Sequence, residues 1–87
     1  MYTIQPYTQE RAKQIGVTVR PSLKKNKKID VYKDDVFLNS IGDRRYKDYP
    51  TFLLESKQLA ESRRRAYHTR HTRTNKLGEL LALWLLW

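Results

Sequence analysis

The sequence has no cysteine among its 87 residues, and its longest apolar run, residues 80–87, is only eight residues long. Without cysteine, neither a disulfide framework nor a thiolate metal site can form. A membrane-spanning helix needs about 20 apolar residues, so no part of the chain is expected to span a membrane. The first residues lack the basic and apolar regions of a secretory signal, and we therefore expect a protein that is not secreted.

Patterns typical of catalytic and metal sites are also missing. No spaced acids are placed to converge on a metal as a nuclease requires, and no nucleophile is placed beside a base as a hydrolase requires. His68 and His71 stand three residues apart, but Arg70 beside them disfavours a divalent cation. We predict that the protein is not an enzyme and that it holds no metal or cofactor.

Positive charge is what the sequence has in excess. It carries 18 Lys and Arg against 9 Asp and Glu, a net charge of +9, with 39% hydrophobic residues. Residues 11–28 and 63–76 contain no acid, whereas residues 29–62 are mildly acidic. The length allows a single small domain, residues 1–87, and the two basic blocks predict a surface for a negatively charged partner.

The first half, residues 1–42, has the pattern of an antiparallel sheet with one short helix. Apolar and polar residues alternate in strand-like segments at 2–5, 17–20, 28–32 and 36–41. Between the first two we predict a helix over residues 9–15, with Thr8 as N-cap and Gly16 ending it.

The second half, residues 48–87, is predicted to be helical. Asp48 or Tyr49 is a candidate N-cap, Pro50 suits the first turn, and apolar residues recur every seven positions. We predict one helix from Pro50 to about His71 and a short apolar helix over 79–87. The fold class is therefore α+β: a small antiparallel sheet of three or four strands with one short helix, covered by a long C-terminal helix and a short apolar terminal helix.

The two basic blocks supply the candidate nucleic-acid-binding residues. Arginine suits phosphate because its planar fork donates two parallel hydrogen bonds, although a solvated helix face and a solubilising loop are the alternatives. Three consecutive arginines spread around a helix and cannot all face a core. The predicted contact residues are Lys24, Lys25, Lys27, Lys28, Arg63, Arg64, Arg65, Arg70 and Arg73.

The apolar C-terminus has two interpretations that the residues leave open. It either completes the core or anchors the protein in a neighbouring subunit, which includes another copy of this chain. The predicted anchor residues are Leu83, Trp84 and Trp87.

Several short motifs along the chain resemble a known family. They are Tyr2-Thr3-Ile4-x-Pro6-Tyr7-Thr8, Lys28-Ile29-Asp30-Val31-Tyr32, Ser40-Ile41-Gly42-Asp43, Asp48-Tyr49-Pro50-Thr51, Arg63-Arg64-Arg65-x-Tyr67 and the terminal Leu85-Leu86-Trp87. This pattern is similar to small basic proteins of unknown function encoded by large double-stranded DNA viruses and related viral genomes. The resemblance implies a viral origin and a role associated with the virion or the genome.

Three functional hypotheses follow. The leading one is a non-enzymatic viral protein that binds nucleic acid through a basic helix and a Lys-rich hairpin loop. Its contacts are to phosphates and are largely independent of sequence. The second is a minor capsid or cement protein whose basic surface meets acidic patches of other virion proteins. The third is an inhibitor of a host factor. All three place the protein in the virion or in the nucleus or cytoplasm of the infected cell.

Overall fold

The computed structural model describes residues 2–71 and 76–87. Within these ranges the chain forms α1 (Pro6–Ile15), β1 (Thr18–Pro21), β2 (Lys27–Lys33), β3 (Val36–Asp43), α2 (Tyr49–Leu53), α3 (Lys57–Arg70) and α4 (Leu77–Leu85). The predicted α+β class with a small antiparallel sheet is confirmed. None of the helices in this described part combines the length and apolar character needed to cross a membrane.

The sheet has three antiparallel strands in the order β1-β2-β3, so β1 and β3 are its edges. Ile29 faces Ile41 across the β2–β3 pair. The turn between these strands has positive φ at Asp34 (51°) and Asp35 (65°), which gives the two-residue turn whose twist matches a hairpin. The alternating segment at residues 2–5 is not a strand, and that prediction was wrong. Its alternation arises because Tyr2 and Ile4 pack against the core.

Helix α1 begins at Pro6, three residues before the predicted start. Thr8, predicted to be the N-cap, instead lies inside the helix, where its buried hydroxyl donates a hydrogen bond to the Leu85 carbonyl oxygen at 2.9 Å. The predicted end is confirmed, because Gly16 adopts the left-handed conformation (φ 73°) in which its N–H bonds the end of the helix.

The predicted continuous helix from Pro50 to His71 is two helices, α2 and α3. Asp48, one of the two predicted N-cap candidates, caps α2 by accepting a hydrogen bond from the Thr51 N–H. Ser56 caps α3, since its Oγ accepts from the Leu59 N–H at 3.3 Å. A serine side chain can hydrogen-bond to nearby backbone groups in place of the helix. Ser56 can therefore separate α2 from α3 although no glycine or proline lies between them.

The core lies between the sheet, α1 and α4. Its buried residues are Ala12, Val19, Ile29, Val31, Ile41, Leu81, Ala82, Leu85 and Leu86. Helix α4 packs on β3 and on α1, whereas α3 packs mainly on α2. Both C-terminal helices were predicted to cover the sheet. Helix α4 does most of this, because α3 is too polar to be buried.

Candidate nucleic-acid interface

A cleft of about 880 Å³ opens between the edge strand β3 and the C-terminal half of α3. The start of β2, the connection from β3 to α2, and the start of α4 complete its walls. Its charged and aromatic lining residues are Lys27, Lys28, Asp43, Tyr46, Lys47, Phe52, Arg63, Tyr67, Arg70, Lys76, Glu79 and Trp87. The cleft thus joins residues that lie far apart in sequence, and its lining is rich in cations and rings.

The exposed cations that line this cleft include Lys27 from β2, and Arg63 and Arg70 from α3. In the part of the chain that the structure describes, no carboxylate lies within ion-pair distance of any of the three. The charges of Arg63 and Arg70 are therefore available to a ligand, whereas Lys27 lies opposite Asp43 in the β2–β3 pair and its charge helps to lower the pKa of that carboxyl. Arg63 also lies with its guanidinium carbon 5.9 Å from the centre of the Phe52 ring.

The acids that border the cleft are Asp43 and Glu79. The Arg45 side chain donates hydrogen bonds to both oxygens of the Asp43 carboxylate, the shortest being Nε to Oδ1 at 3.0 Å and Nη2 to Oδ2 at 2.7 Å. These bonds, together with one from the Arg45 backbone N–H, lower the pKa of Asp43 to about 2. A guanidinium therefore offsets the negative charge of Asp43 locally.

Aromatic rings form the apolar wall of the cleft. The rings of Tyr67 and Trp87 are stacked at 4.3 Å with 7° between their planes, and His71 stacks on Tyr67 at 4.1 Å. Phe52 approaches Trp87 at 6.4 Å. Burial in this wall raises the pKa of Tyr67, and the nearby Glu79 adds to that shift. Trp87 is thus held by the fold's own aromatic residues.

Tyr46 differs from these rings because it is 67% exposed at the cleft. It belongs to the basic connection between β3 and α2, in which Arg44, Arg45 and Lys47 are its neighbours in sequence. The guanidinium carbon of Arg45 lies 5.7 Å from the centre of its ring. Lys47 pairs with Glu55 at 2.9 Å.

The structure brings together some of the predicted contact residues and separates others. Lys27, Arg63 and Arg70 line the cleft. Arg64 turns aside to lie over the Tyr49 ring at 4.8 Å, and Arg65 borders a separate shallow groove on the other side of α3. The three consecutive arginines therefore diverge, as expected for adjacent positions on a helix.

Lys24 and Lys25 are exposed on the β1–β2 loop outside the cleft, and Arg73 lies outside the described residues.

Lys28 is not part of an exposed loop, and its assignment as a surface contact was wrong. It lies in β2 and is 4% exposed, and its Nζ is 2.7 Å from Asp48 Oδ2. The same carboxylate oxygen accepts a hydrogen bond from the Tyr2 hydroxyl at 2.6 Å. The charge of Lys28 is therefore satisfied inside the protein. Burial, together with the hydrogen bond to Asp48, raises the pKa of Tyr2.

The predicted anchor residues of the C-terminus pack within the chain itself. Trp84 donates a hydrogen bond from Nε1 to the Arg11 carbonyl oxygen, and Trp87 stacks on Tyr67. Leu83 is half-buried in α4. Since Leu85 and Leu86 are fully buried, the structure agrees with the interpretation in which this segment completes the core.

Sequence reasoning missed the connection between β3 and α2 as part of the site. The run Arg44-Arg45-Tyr46-Lys47 is not among the predicted contact residues, although basic residues interrupted by an aromatic are a signal for phosphate and base contacts. It also missed the aromatic wall, because Phe52, Tyr67 and Trp87 come from three separate elements.

Metal ligands do not cluster in the described ranges, where no group of three or more His, Asp or Glu side chains could hold an ion. His71 Nδ1 lies 2.9 Å from the Tyr67 carbonyl oxygen. In comparisons with known proteins, no family model, no curated protein and no solved structure matches the chain.

Proposed function

We propose that this protein is a non-enzymatic viral protein that binds nucleic acid through the basic cleft. The observation that carries the proposal is the convergence of Lys27, Arg63 and Arg70 on one cleft with an aromatic wall. The viral origin rests on the resemblance of the sequence motifs. Nucleic acid fits this surface because it offers both negative phosphates and flat bases.

The cations of the cleft suit the phosphate backbone. An arginine fork donates parallel hydrogen bonds to two phosphate oxygens, and a lysine ammonium acts as a point charge. Like charges that line one cleft repel each other, so binding of a polyanion relieves an unfavourable arrangement. Asp43 opposes this little because Arg45 compensates its charge.

Sequence-independent binding is the expected mode. Phosphate contacts position a protein on a nucleic acid without reporting the sequence, whereas base recognition needs side chains aimed at base edges. Lys27, Arg63 and Arg70 line the cleft, and their cationic side chains suit phosphate oxygens. Affinity should therefore depend strongly on salt and weakly on sequence.

The test measures fluorescence anisotropy of labelled oligonucleotides with the full chain from low to moderate salt. The variant Arg63→Ala/Arg70→Ala removes two cleft cations and should weaken binding at least about tenfold. The slope of log K against log[salt] should become shallower by roughly 1.4 for single strands or 1.8 for duplex.

The matched control is Lys25→Ala/Arg65→Ala, which removes the same charge from exposed positions outside the cleft. Its affinity should change much less than that of the cleft variant. Equal losses in both variants would mean that the cleft is not the site. Absence of salt-sensitive binding by the unaltered protein would overturn the proposal altogether.

A further inference from the structure

The exposure of Tyr46 carries a second conclusion, which rests on the proposed function. We propose that the cleft binds single-stranded rather than duplex nucleic acid, with an unpaired base stacked on the Tyr46 ring and the strand's phosphates on Lys27, Arg63 and Arg70. The ligand class is therefore a single-stranded polynucleotide.

An aromatic side chain beside phosphate-binding cations is the arrangement that single strands require. Every base has a π-face, so stacking on an aromatic ring contributes affinity without selecting a sequence. Tyr46 is 67% exposed and borders the same cleft as the three cations. Asp43 holds the guanidinium of Arg45 near the ring, so the acid beside Tyr46 is neutralised and does not repel the strand's phosphates.

A duplex cannot use this platform. In a double helix each base is covered on both faces by its neighbours and paired along its edge, so its π-face is accessible only after unstacking. The volume of the cleft, about 880 Å³, is also typical of pockets that enclose small ligands. It therefore suits nucleotides rather than a double helix. A duplex would therefore contact only the cations at the rim.

The apolar wall strengthens the same conclusion. Phe52 and the stacked pair Tyr67 and Trp87 line the cleft behind the cations. Phosphate and sugar alone gain little from an apolar surface, whereas a base removed from water gains from contact with it. The cleft thus offers cations for the phosphates and aromatic rings for the base of an unpaired nucleotide.

The experiment compares four labelled probes of equal length at one salt concentration: oligo(dT), oligo(U), an abasic deoxyribose strand and a blunt DNA duplex. The abasic strand keeps the phosphates and lacks the bases. The unaltered protein should bind oligo(dT) or oligo(U) more tightly than the abasic strand and the duplex. The first two probes distinguish DNA from RNA as the source of the single strand.

Tyr46→Ala is the decisive variant. It should weaken binding of oligo(dT) or oligo(U) by about 5- to 150-fold, the range for one lost base stack, and leave the abasic and duplex affinities unchanged. Tyr46→Phe should restore stacking. Phe37→Ala is the matched control, because Phe37 is also exposed (45%) with Lys24 nearby (4.9 Å) but lies outside the cleft.

The outcomes separate this inference from the proposed function. If Tyr46→Ala binds all probes like the unaltered protein while Arg63→Ala/Arg70→Ala still weakens them, the cleft binds phosphate only and the single-strand assignment is wrong. Duplex binding as tight as that of oligo(dT) and oligo(U) would overturn it as well. If the cleft arginines have no effect on any probe, both proposals fail together. Thermal unfolding of each variant checks that the fold is retained.

Discussion

Lys28 and Asp48 form an ion pair inside the protein, with Nζ 2.7 Å from Oδ2 and side chains 5% and 0% exposed. The pair joins β2 to the N-terminus of α2, because the other carboxylate oxygen of Asp48 accepts from the Thr51 N–H. Tyr2 adds a third donor to the same carboxylate. One aspartate thus fixes the N-terminal segment, the sheet and the helical half relative to each other.

The first prediction concerns the stability of this pair. Removing one partner leaves an uncompensated buried charge, so Lys28→Met or Asp48→Asn alone should each lower the free energy of unfolding by about 3–5 kcal/mol. Asparagine keeps the capping function, which isolates the effect of the charge. The double variant should be less destabilised than the sum of the two single variants. Urea unfolding of all four proteins measures this coupling.

The control for this cycle is the exposed pair of Lys47 and Glu55. The variant Lys47→Met should lower stability by no more than about 1 kcal/mol, since solvent screens exposed ion pairs. Additive effects in the Lys28 and Asp48 cycle would contradict a direct interaction between the two.

The local elements of this fold could be predicted where short-range chemistry decides them. Gly16 ends α1, Asp48 and Pro50 start α2, and alternation identifies β2 and β3, because each signal is contained in a few neighbouring residues. The break at Ser56 could not be predicted with the same rules, since serine acts as a cap only when the chain changes direction there.

The candidate site was harder to predict because it is assembled from distant parts of the chain. Arg63 and Arg70 were found from their charge, and Lys27 from its loop. The role of Lys28 depends on a carboxylate twenty residues away, which local pattern cannot reveal. The aromatic wall likewise exists only after the C-terminus has returned to pack on α3.

The second prediction compares two glycines with similar backbone conformations. Gly42 (φ 82°) and Gly16 (φ 73°) are both left-handed, but a Cβ at Gly42 would lie 2.8 Å from Leu86 Cδ1, whereas a Cβ at Gly16 would meet nothing within 4 Å. Gly16→Ala should therefore cost about 1–2 kcal/mol from backbone strain alone. Gly42→Ala should cost about 1–3 kcal/mol more, because the added Cβ overpacks this position. Equal thermal destabilisation of the two variants would contradict this packing.

The third prediction tests whether Trp84 belongs to the fold of a single chain. Arg11 Nε donates to the Trp84 carbonyl oxygen at 2.7 Å, Trp84 Nε1 donates to the Arg11 carbonyl oxygen at 2.9 Å, and the guanidinium lies 3.7 Å from the indole ring centre. Arg11→Ala should lower stability by about 1–3 kcal/mol. Lys13→Ala, at an exposed position of the same helix, should change it by less than about 0.5 kcal/mol.

If Trp84 were instead an anchor for another subunit, Arg11→Ala would leave the unfolding of the isolated chain unchanged. Chemical unfolding followed by tryptophan fluorescence, together with sedimentation at several protein concentrations, distinguishes the two cases.

The fourth prediction concerns pH and the charge of the cleft. Hydrogen bonds from Arg45 lower the pKa of Asp43 to about 2, from an ordinary value of about 3.9. Because the folded-state pKa is the lower one, the contribution of Asp43 to stability is present above about pH 4 and is lost as the pH falls towards 2.

An NMR titration of the Asp43 carboxyl carbon should show a midpoint near 2. Arg45→Ala should return it towards the ordinary value, whereas Arg44→Ala, which removes the same charge from the neighbouring exposed position, should have little effect. A normal midpoint in the unaltered protein would contradict the paired geometry. Because a carboxylate with this pKa is fully ionised at every pH near neutrality, protonation of Asp43 cannot change nucleic-acid affinity there, and any pH dependence of binding would have to come from another group.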